Sequence, residues 1–353
     1  MLVPIITDIH IGARSDSPYF QENFYTFIDE QFFPYLIENN LKEILILGDI
    51  FERRKFINFH TLYNARIRFF DKLRDMGIEV VMICGNHDVY FKNTNEVNSL
   101  HLLLDGYENI HIIIDRAIVN YDGLDIGLIA WINSGNYKES IEWLNELNTP
   151  VLAGHFEIKN FEMVKGHFAS TGFDMSVFEK FNLVLSGHFH IRSSQSNITY
   201  IGNPNQTNWG DYGYTRGFAV LDTKTIKLDY IDNKFNAYVV LKFSDIDINT
   251  FDFEAHSNKI IKIYVEKLDA LNRKRLDLFI DKLGKIAFSV EVNEVTDEIV
   301  RLEDEHHVDI ETDTIGLIKN YITATTDVEI SKDLLMDYFV DIYQESVHNF
   351  SNQ

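Results

Sequence analysis

Five short runs of apolar, β-branched-rich residues constrain this 353-residue chain more than anything else in it. They read "VPIIT", "EILIL", "EVVMIC", "PVLAG" and "NLVLSG", and each stops on a side chain that binds metal or moves protons. "IITDIH" ends in Asp8 and His10, and "ILILGD" in Asp49. "VVMICGNHD" ends in Asn86, His87 and Asp88, "VLAGH" in His155, and "LVLSGHFH" in His188 and His190. Runs that are apolar at nearly every position are strands covered on both faces. Between them lie amphipathic stretches such as "YFQENFYTFIDEQFF" and "NFHTLYNARIRFFDKLRDMG", the second closed by the helix-stopping Gly77. Alternation of strand and helix specifies an α/β sandwich. "AIVNYDGLDIGLIAW" predicts a hairpin turning at Asp122-Gly123, and "GFAVLDTKTIKLDYID" a second hairpin.

Sites in α/β sheets form at the carboxyl ends of the strands, so these donors are expected to meet. Asp and His bind zinc, manganese or iron, and Asn adds a neutral oxygen. Asp8, His10, Asp49, Asn86, His155, His188 and His190 are too many ligands for one ion of ordinary coordination and suit two. A shared carboxylate, most simply Asp49, would bridge the pair. Four of the five strand ends follow a glycine, which lets the backbone turn and aim the next side chain into the cleft. A lone Asp-x-His is a weak signal, because structural histidines are common. Chance does not account for the ordered set at five strand ends.

From about Val239 the texture changes. "IIKIYVEKL", "LNRKRLDLFIDKL" and "AFSVEVNEV" read as strand, helix, strand, a small unit of its own. An acidic stretch, "EDEHHVDIETD", separates it from two helical segments, "TIGLIKNYITAT" and "KDLLMDYFVDIYQESV". In the second, Leu334, Leu335, Tyr338, Phe339 and Ile342 recur at three- and four-residue spacing and predict one apolar face.

The formal net charge is −22, with 24 acidic against 11 basic side chains from Ser244 onward. Phosphate binding is driven by Lys and Arg, so such a chain is a poor general binder of nucleic acid unless metal ions or a partner supply positive charge. The exception is Arg53-Arg54-Lys55, a basic island just after Asp49 that could contact a DNA backbone or simply be a solvated loop. No apolar run approaches ~18 residues, so no membrane helix is expected. The N-terminus does not read as a signal peptide, and the lone Cys84 fits a reducing cytoplasm.

The series Asp-x-His, Gly-Asp, Gly-Asn-His-Asp, Gly-His and Gly-His-x-His resembles the calcineurin-like metallophosphoesterases. "GDIFERR", the long helix after it and the appended strand–helix–strand unit are similar to their SbcD-type DNA repair nuclease branch. Length and layout look most like phage recombination endonuclease subunits that work with an SMC-like ATPase. The resemblance implies an α/β fold, a two-sheet β-sandwich flanked by helices, with a small α/β capping domain and C-terminal helices. The implied segments are a nuclease domain at 1–240, the capping domain at 241–300, an acidic linker at 301–312 and a helical region at 313–353. It implies a dinuclear centre, most simply of manganese, with Asp8, His10, Asp49 and His190 on one ion and Asp49, Asn86, His155 and His188 on the other. His87 would act in catalysis, with Asp88 orienting it. Where this branch often carries a second histidine, three residues after the Gly-Asp aspartate, the chain has Glu52.

The implied activity is a manganese-dependent DNA nuclease, both double-strand exonuclease and single-strand endonuclease, of recombination and repair. Its partners would be DNA, an SMC-like ATPase docked on the Leu334–Ile342 face, and a second copy of the chain through the nuclease domain. Its location would be the cytoplasm, the host's if phage-encoded. A small-molecule phosphodiesterase of the cyclic-nucleotide type shares several motifs and is the alternative. The basic island and the appended units favour the nuclease. A scaffold without catalysis ranks last, since every ligand position holds a competent residue.

Overall fold

The computed structural model describes residues 1–266, 269–294, 322 and 331–349. Its strands, in chain order, are β1 (Leu2–Ile6), β2 (Glu43–Ile46), β3 (Glu79–Ile83), β4 (Ile110–Ile113), β5 (Arg116–Tyr121), β6 (Leu124–Ile129), β7 (Val151–His155), β8 (Glu162–Val164) and β9 (His167–Phe168). They continue with β10 (Leu183–Gly187), β11 (Ser193–Gln195), β12 (Ile198–Tyr200), β13 (Gly217–Asp222), β14 (Lys227–Asp232), β15 (Tyr238–Lys242), β16 (Ile260–Val265) and β17 (Ser289–Glu294). All five apolar runs are strands, namely β1, β2, β3, β7 and β10.

Two six-stranded sheets carry the large unit, in the orders β14-β13-β1-β2-β3-β4 and β11-β12-β10-β7-β6-β5. The β1-β2-β3-β4 core of the first is parallel, as is β6-β7-β10-β12 of the second. Antiparallel hairpins close three of the edges. In the β5–β6 hairpin Tyr121 faces Leu124 across Asp122 and Gly123, whose φ values of 52° and 89° are those of a type I′ turn. The β13–β14 hairpin forms as expected.

The core lies between and around these sheets because their central strands are apolar at both alternating faces. Val3, Ile5, Ile44, Ile46, Val80, Ile126, Val151 and Leu185 are all fully buried in one cluster. Helices cover the first sheet: a helical run through Pro18–Phe27, Ile28–Phe32 and Phe33–Glu38, and another through Phe59–Ala65, Arg66–Phe70 and Asp71–Asp75. Each contains one wider π-type turn. Phe69, Phe70 and Leu73 are fully buried, so these three are core.

A second compact unit gathers Asn208–Tyr212 and the described residues from Asn236 to Glu294. Its parallel sheet β15-β16-β17 packs the helix Ala270–Leu283 through Phe279, Leu276 and Leu283. β15 pairs with β16, so the unit starts at Asn236, before the expected 241. The acidic stretch at 301–312 and most of the first C-terminal helical segment lie outside the described residues.

The helix Lys332–Asn349 belongs to the large unit. It buries Met336, Asp337 and Val340, while Leu334, Tyr338, Phe339 and Ile342 stay exposed and Leu335 is half-buried. The expected apolar face is therefore present but turned outward. Asp337 anchors the inner face, its Oδ1 lying 2.8 Å from His167 Nε2 and its other oxygen accepting from the Ser170 hydroxyl.

Candidate metal centre

The carboxyl ends of β1, β2 and β3 in one sheet meet those of β7 and β10 in the other, and the seven expected ligands converge at that seam. Two loops run side by side to build it. Asp8 N–H donates to the Gly48 carbonyl at 3.0 Å, His10 N–H to the Asp49 carbonyl at 3.0 Å, and Ile11 N–H to the Ile50 carbonyl at 2.8 Å. The sharp turns are made largely by the ligands themselves: Asp8, His10, Asp49 and His188 have φ of 51°, 50°, 51° and 89°. Among the strand-end glycines, Gly48 does turn at φ 91°, but Gly85 is needed for close approach. A Cβ on it would lie 2.2 Å from Asp49 Oδ1.

Around one locus His10 Nε2 lies 3.1 Å from His190 Nε2, 3.9 Å from Asp49 Oδ2 and 4.0 Å from Asp8 Oδ1. Around the other, Asn86 Oδ1 lies 2.9 Å from both His155 Nε2 and His188 Nδ1, and His155 Nε2 is 3.2 Å from Asp49 Oδ2. The ligand atoms of Asp8, His10 and His190, and those of Asp49, His155 and His188, each fall within 4.8 Å of one another. Asp49 stands between the two groups. His155 Nδ1 donates to the Leu47 carbonyl at 2.8 Å, so its Nε2 turns toward the cleft. An amide oxygen, a carboxylate and imidazole lone pairs face each other at hydrogen-bond distance, an arrangement that a divalent cation satisfies. The residues present thus fit two ions.

The electrostatics agree with that fit. Burial opposes a charged His10, yet the carboxylates of Glu52, Asp49 and Asp8 outweigh it and raise its pKa to about 10. Burial likewise opposes a charged His155, but Asp49 and Asp8 raise it to about 9. Burial and the neighbouring His155 push His188 down to about 3. Burial works to raise Asp49, but the surrounding histidines, His155 first, hold it well below the usual carboxylate range. Burial raises Asp8. A field that retains a proton on two buried imidazoles also favours a cation.

His87 is half-buried beside Asp49. Its N–H donates to Asp49 Oδ1 at 2.7 Å and its Nδ1 donates to the Glu52 carbonyl at 2.7 Å, and the ring lines the cleft. Asp88 sits differently from expectation. Its carboxylate is fully buried and accepts from backbone N–H groups of Ile50 (3.0 Å), Phe51 (3.2 Å) and Gly85 (2.9 Å). It ties together the loops that carry Asp49 and His87, while Glu52 holds the His87 ring. Burial and then Asp49 raise the Asp88 pKa to about 7.

The cleft over the seam has a volume of about 590 Å³, and its lining includes Asp49, Asn86, His87, His188 and His190, the basic Arg53, Arg54, Lys55 and Lys92, and the acidic Glu157. Arg53 is ion-paired with Asp16 and stacks over Phe56 at 4.9 Å; Arg54 lies over Trp131 at 5.5 Å and Lys55 over Tyr90 at 5.9 Å. Asp341, from the helix Lys332–Asn349, lines the same cleft. Lys92 and Trp131 carry no motif and were not singled out from sequence.

The calcineurin-like phosphoesterase family model matches residues 1–192. The chain is 29% identical over 340 residues to exonuclease subunit 1 of Enterobacteria phage T4, covering 96% of this chain and 97% of that protein. A solved structure described as a novel archaeal phosphodiesterase aligns with a TM-score of 0.33 at 14% identity, over 66% of this chain and 99% of that one, too distant a likeness to argue from. The family match spans more than half the sequence. The chain belongs to the calcineurin-like phosphoesterases, metal-dependent hydrolases of phosphate esters.

Proposed function

We propose that this chain is a manganese-dependent DNA nuclease, the catalytic subunit of a recombination or repair complex. The observation that carries the reading is the pair of ligand groups, Asp8–His10–His190 and Asp49–His155–His188, linked by Asp49 Oδ2 at 3.9 Å from His10 Nε2, in an open cleft whose lining includes Arg54, Lys55 and Lys92. When bound, two divalent ions supply a nucleophilic water near neutral pH and neutralise the phosphate. Asp8, His10, Asp49 and His190 would hold one ion; Asp49, Asn86, His155 and His188 the other. The protein's own part is then proton management and placement. His87, with Nδ1 held by the Glu52 carbonyl, directs Nε2 at the leaving oxygen, and that carbonyl stabilises the imidazolium that donates to it. Arg54 and Lys55, with Lys92, would bind the strand's phosphates; Arg53 is paired with Asp16, which offsets much of its charge.

Partners follow from the surfaces. The similar phage protein is named as a subunit, which supports a second subunit here. We assign that role to an SMC-like ATPase meeting Leu334, Leu335, Tyr338, Phe339 and Ile342, whose apolar side chains the helix presents outward. That partner would supply much of the DNA affinity that a chain of net charge −22 lacks. Phe59, Tyr63 and Ile67 recur every four residues on one helical run and are exposed, which supports a homodimer through this region. No described helix is long and apolar enough to cross a membrane. We place the protein in the cytoplasm.

The deciding experiment measures nucleotide release from linear duplex DNA with Mn²⁺, for wild type and Asp49→Asn side by side. Release that the substitution abolishes supports the nuclease. Hydrolysis of a cyclic nucleotide without release from DNA, with or without the ATPase and ATP, would replace it by the small-molecule phosphodiesterase.

A further inference from the structure

Glu52 stands where a histidine was expected, and it is nearly fully buried, its side chain 1% exposed. Its placement is over-determined by backbone. Ile11 and Phe51 form a parallel bridge, Ile11 N–H donates to the Ile50 carbonyl at 2.8 Å, and Glu52 N–H donates back to the Ile11 carbonyl at 3.1 Å. This short zipper sets the glutamate against the loop that carries His10. Its Oε2 then lies 2.9 Å from His10 Nδ1, while its backbone carbonyl lies 2.7 Å from His87 Nδ1. The two rings stand edge to face, with centroids 4.8 Å apart and planes at 86°. One residue thus addresses the Nδ1 atoms of two different imidazoles; the His10 Nε2 faces His190, Asp49 and Asp8, and the His87 ring lines the cleft.

An imidazole has one donor and one acceptor nitrogen when neutral, and the partner of one nitrogen decides what the other can do. A carboxylate at Nδ1 accepts only, so it fixes the proton there and leaves a lone pair on Nε2. It also makes that lone pair more basic. A buried carboxylate is costly unless it is paired, so its retention against His10 asks for a role.

We propose that Glu52 is a positioning residue: its carboxylate locks His10 in the tautomer and orientation that ligates the first of the two metal ions, while its backbone separately orients His87. This rests on the metal-centre reading above. The side-chain and backbone arms are separable, because substitution of the side chain leaves the carbonyl in place. Glu52→Gln keeps the volume but removes the charge, and its amide NH₂ can face Nδ1 and impose the wrong tautomer.

The test is calorimetric titration of chelator-treated protein with Mn²⁺ alone, alongside urea unfolding without metal. Wild type takes up two ions. In Glu52→Gln one site weakens roughly 10- to 100-fold, as is usual when such an outer partner is lost. The other keeps its affinity, and the variant still unfolds cooperatively without metal, at a midpoint lowered by loss of the charge that holds His10 protonated. Two wild-type affinities in the variant would overturn the inference and leave the metal centre standing. Equal weakening of both sites would also overturn it, making Glu52 a structural residue only. No uptake by wild type would remove the metal centre and this inference together. Nuclear magnetic resonance of Zn²⁺-loaded wild type gives an answer independent of any variant: the proton of His10 belongs on Nδ1, and its presence on Nε2 would refute the assignment.

Discussion

Removing the carboxylate of Asp88 should damage the fold before it damages chemistry. Three backbone N–H groups, of Gly85, Ile50 and Phe51, point at this one fully buried side chain. Asp88→Ala strips all three of their acceptor. A buried donor left without a partner costs about 1–3 kcal/mol, so the three together cost about 3–9 kcal/mol. Part of that is offset, because the variant no longer buries a carboxylate beside Asp49, the repulsion that helps raise the Asp88 pKa to about 7. A net loss of about 3–5 kcal/mol is expected. Asp88→Asn is gentler. Its remaining oxygen still accepts from Ile50 and Phe51, and only Gly85 N–H meets an amide NH₂, for a loss of about 1–2 kcal/mol. The assay is urea unfolding in chelator, followed by the fluorescence of Trp131 and Trp143, both in the large unit. An alanine variant within about 1 kcal/mol of wild type would refute the reasoning. So would an asparagine variant as unstable as the alanine one.

Other expectations are sharper in activity or binding. His87→Ala should keep both ions by metal analysis yet lose about 10²–10⁴-fold in turnover; loss of metal would show that it is a ligand. Gly85→Ala should abolish metal uptake, because its Cβ would displace the Asp49 carboxylate, and normal uptake would show that the loops yield. Without metal, His10 and His155 are raised from 6.5 to about 10 and about 9. The folded state then holds more protons than the unfolded one between these values, so unfolding midpoints should fall as pH rises from 6.5 through 9–10. With Mn²⁺ the stabilisation by metal should instead grow with pH, since the ion competes with those protons; parallel pH curves with and without metal would contradict the ligand assignment. Replacing Arg54 and Lys55 together by alanine should lower the salt slope of DNA binding by about 2, measured with the partner present.

Much of the site was legible because it is local. Each ligand follows its own apolar strand, and parallel order within each sheet gathers that sheet's ends on one side; the meeting of the two sheets' ends is a packing fact that no single strand carries. The Asp122-Gly123 turn was legible for the same reason, since both residues must take positive φ. What lay hidden depends on contacts between loops distant in sequence. Glu52 reads as a lost histidine until the Ile11–Phe51 bridge places it on His10. Asp88 reads as a partner of its neighbour His87 until three amides from two loops claim it. The C-terminal helix was legible as amphipathic but not in its orientation. Its buried stripe includes a charged residue, Asp337, which only the distant His167 and Ser170 make tolerable inside.

The left-handed turns at Asp8, His10, Asp49 and His188 bear on how this protein can change over evolutionary time. Asp and His tolerate that conformation better than most side chains, so each position costs toward the low end of the usual range, about 1 kcal/mol. Four such positions are still a sizeable share of the net stability of an ordinary domain, about 5–15 kcal/mol. Substitution by glycine, which adopts the turn freely, would relax the backbone while removing ligands. Descendants released from the need to cut phosphodiesters therefore drift downhill, gaining stability as they lose function. Inactive copies of such a fold are expected to be sturdier than their working ancestor, and selection for activity must be continuous to keep the strained form.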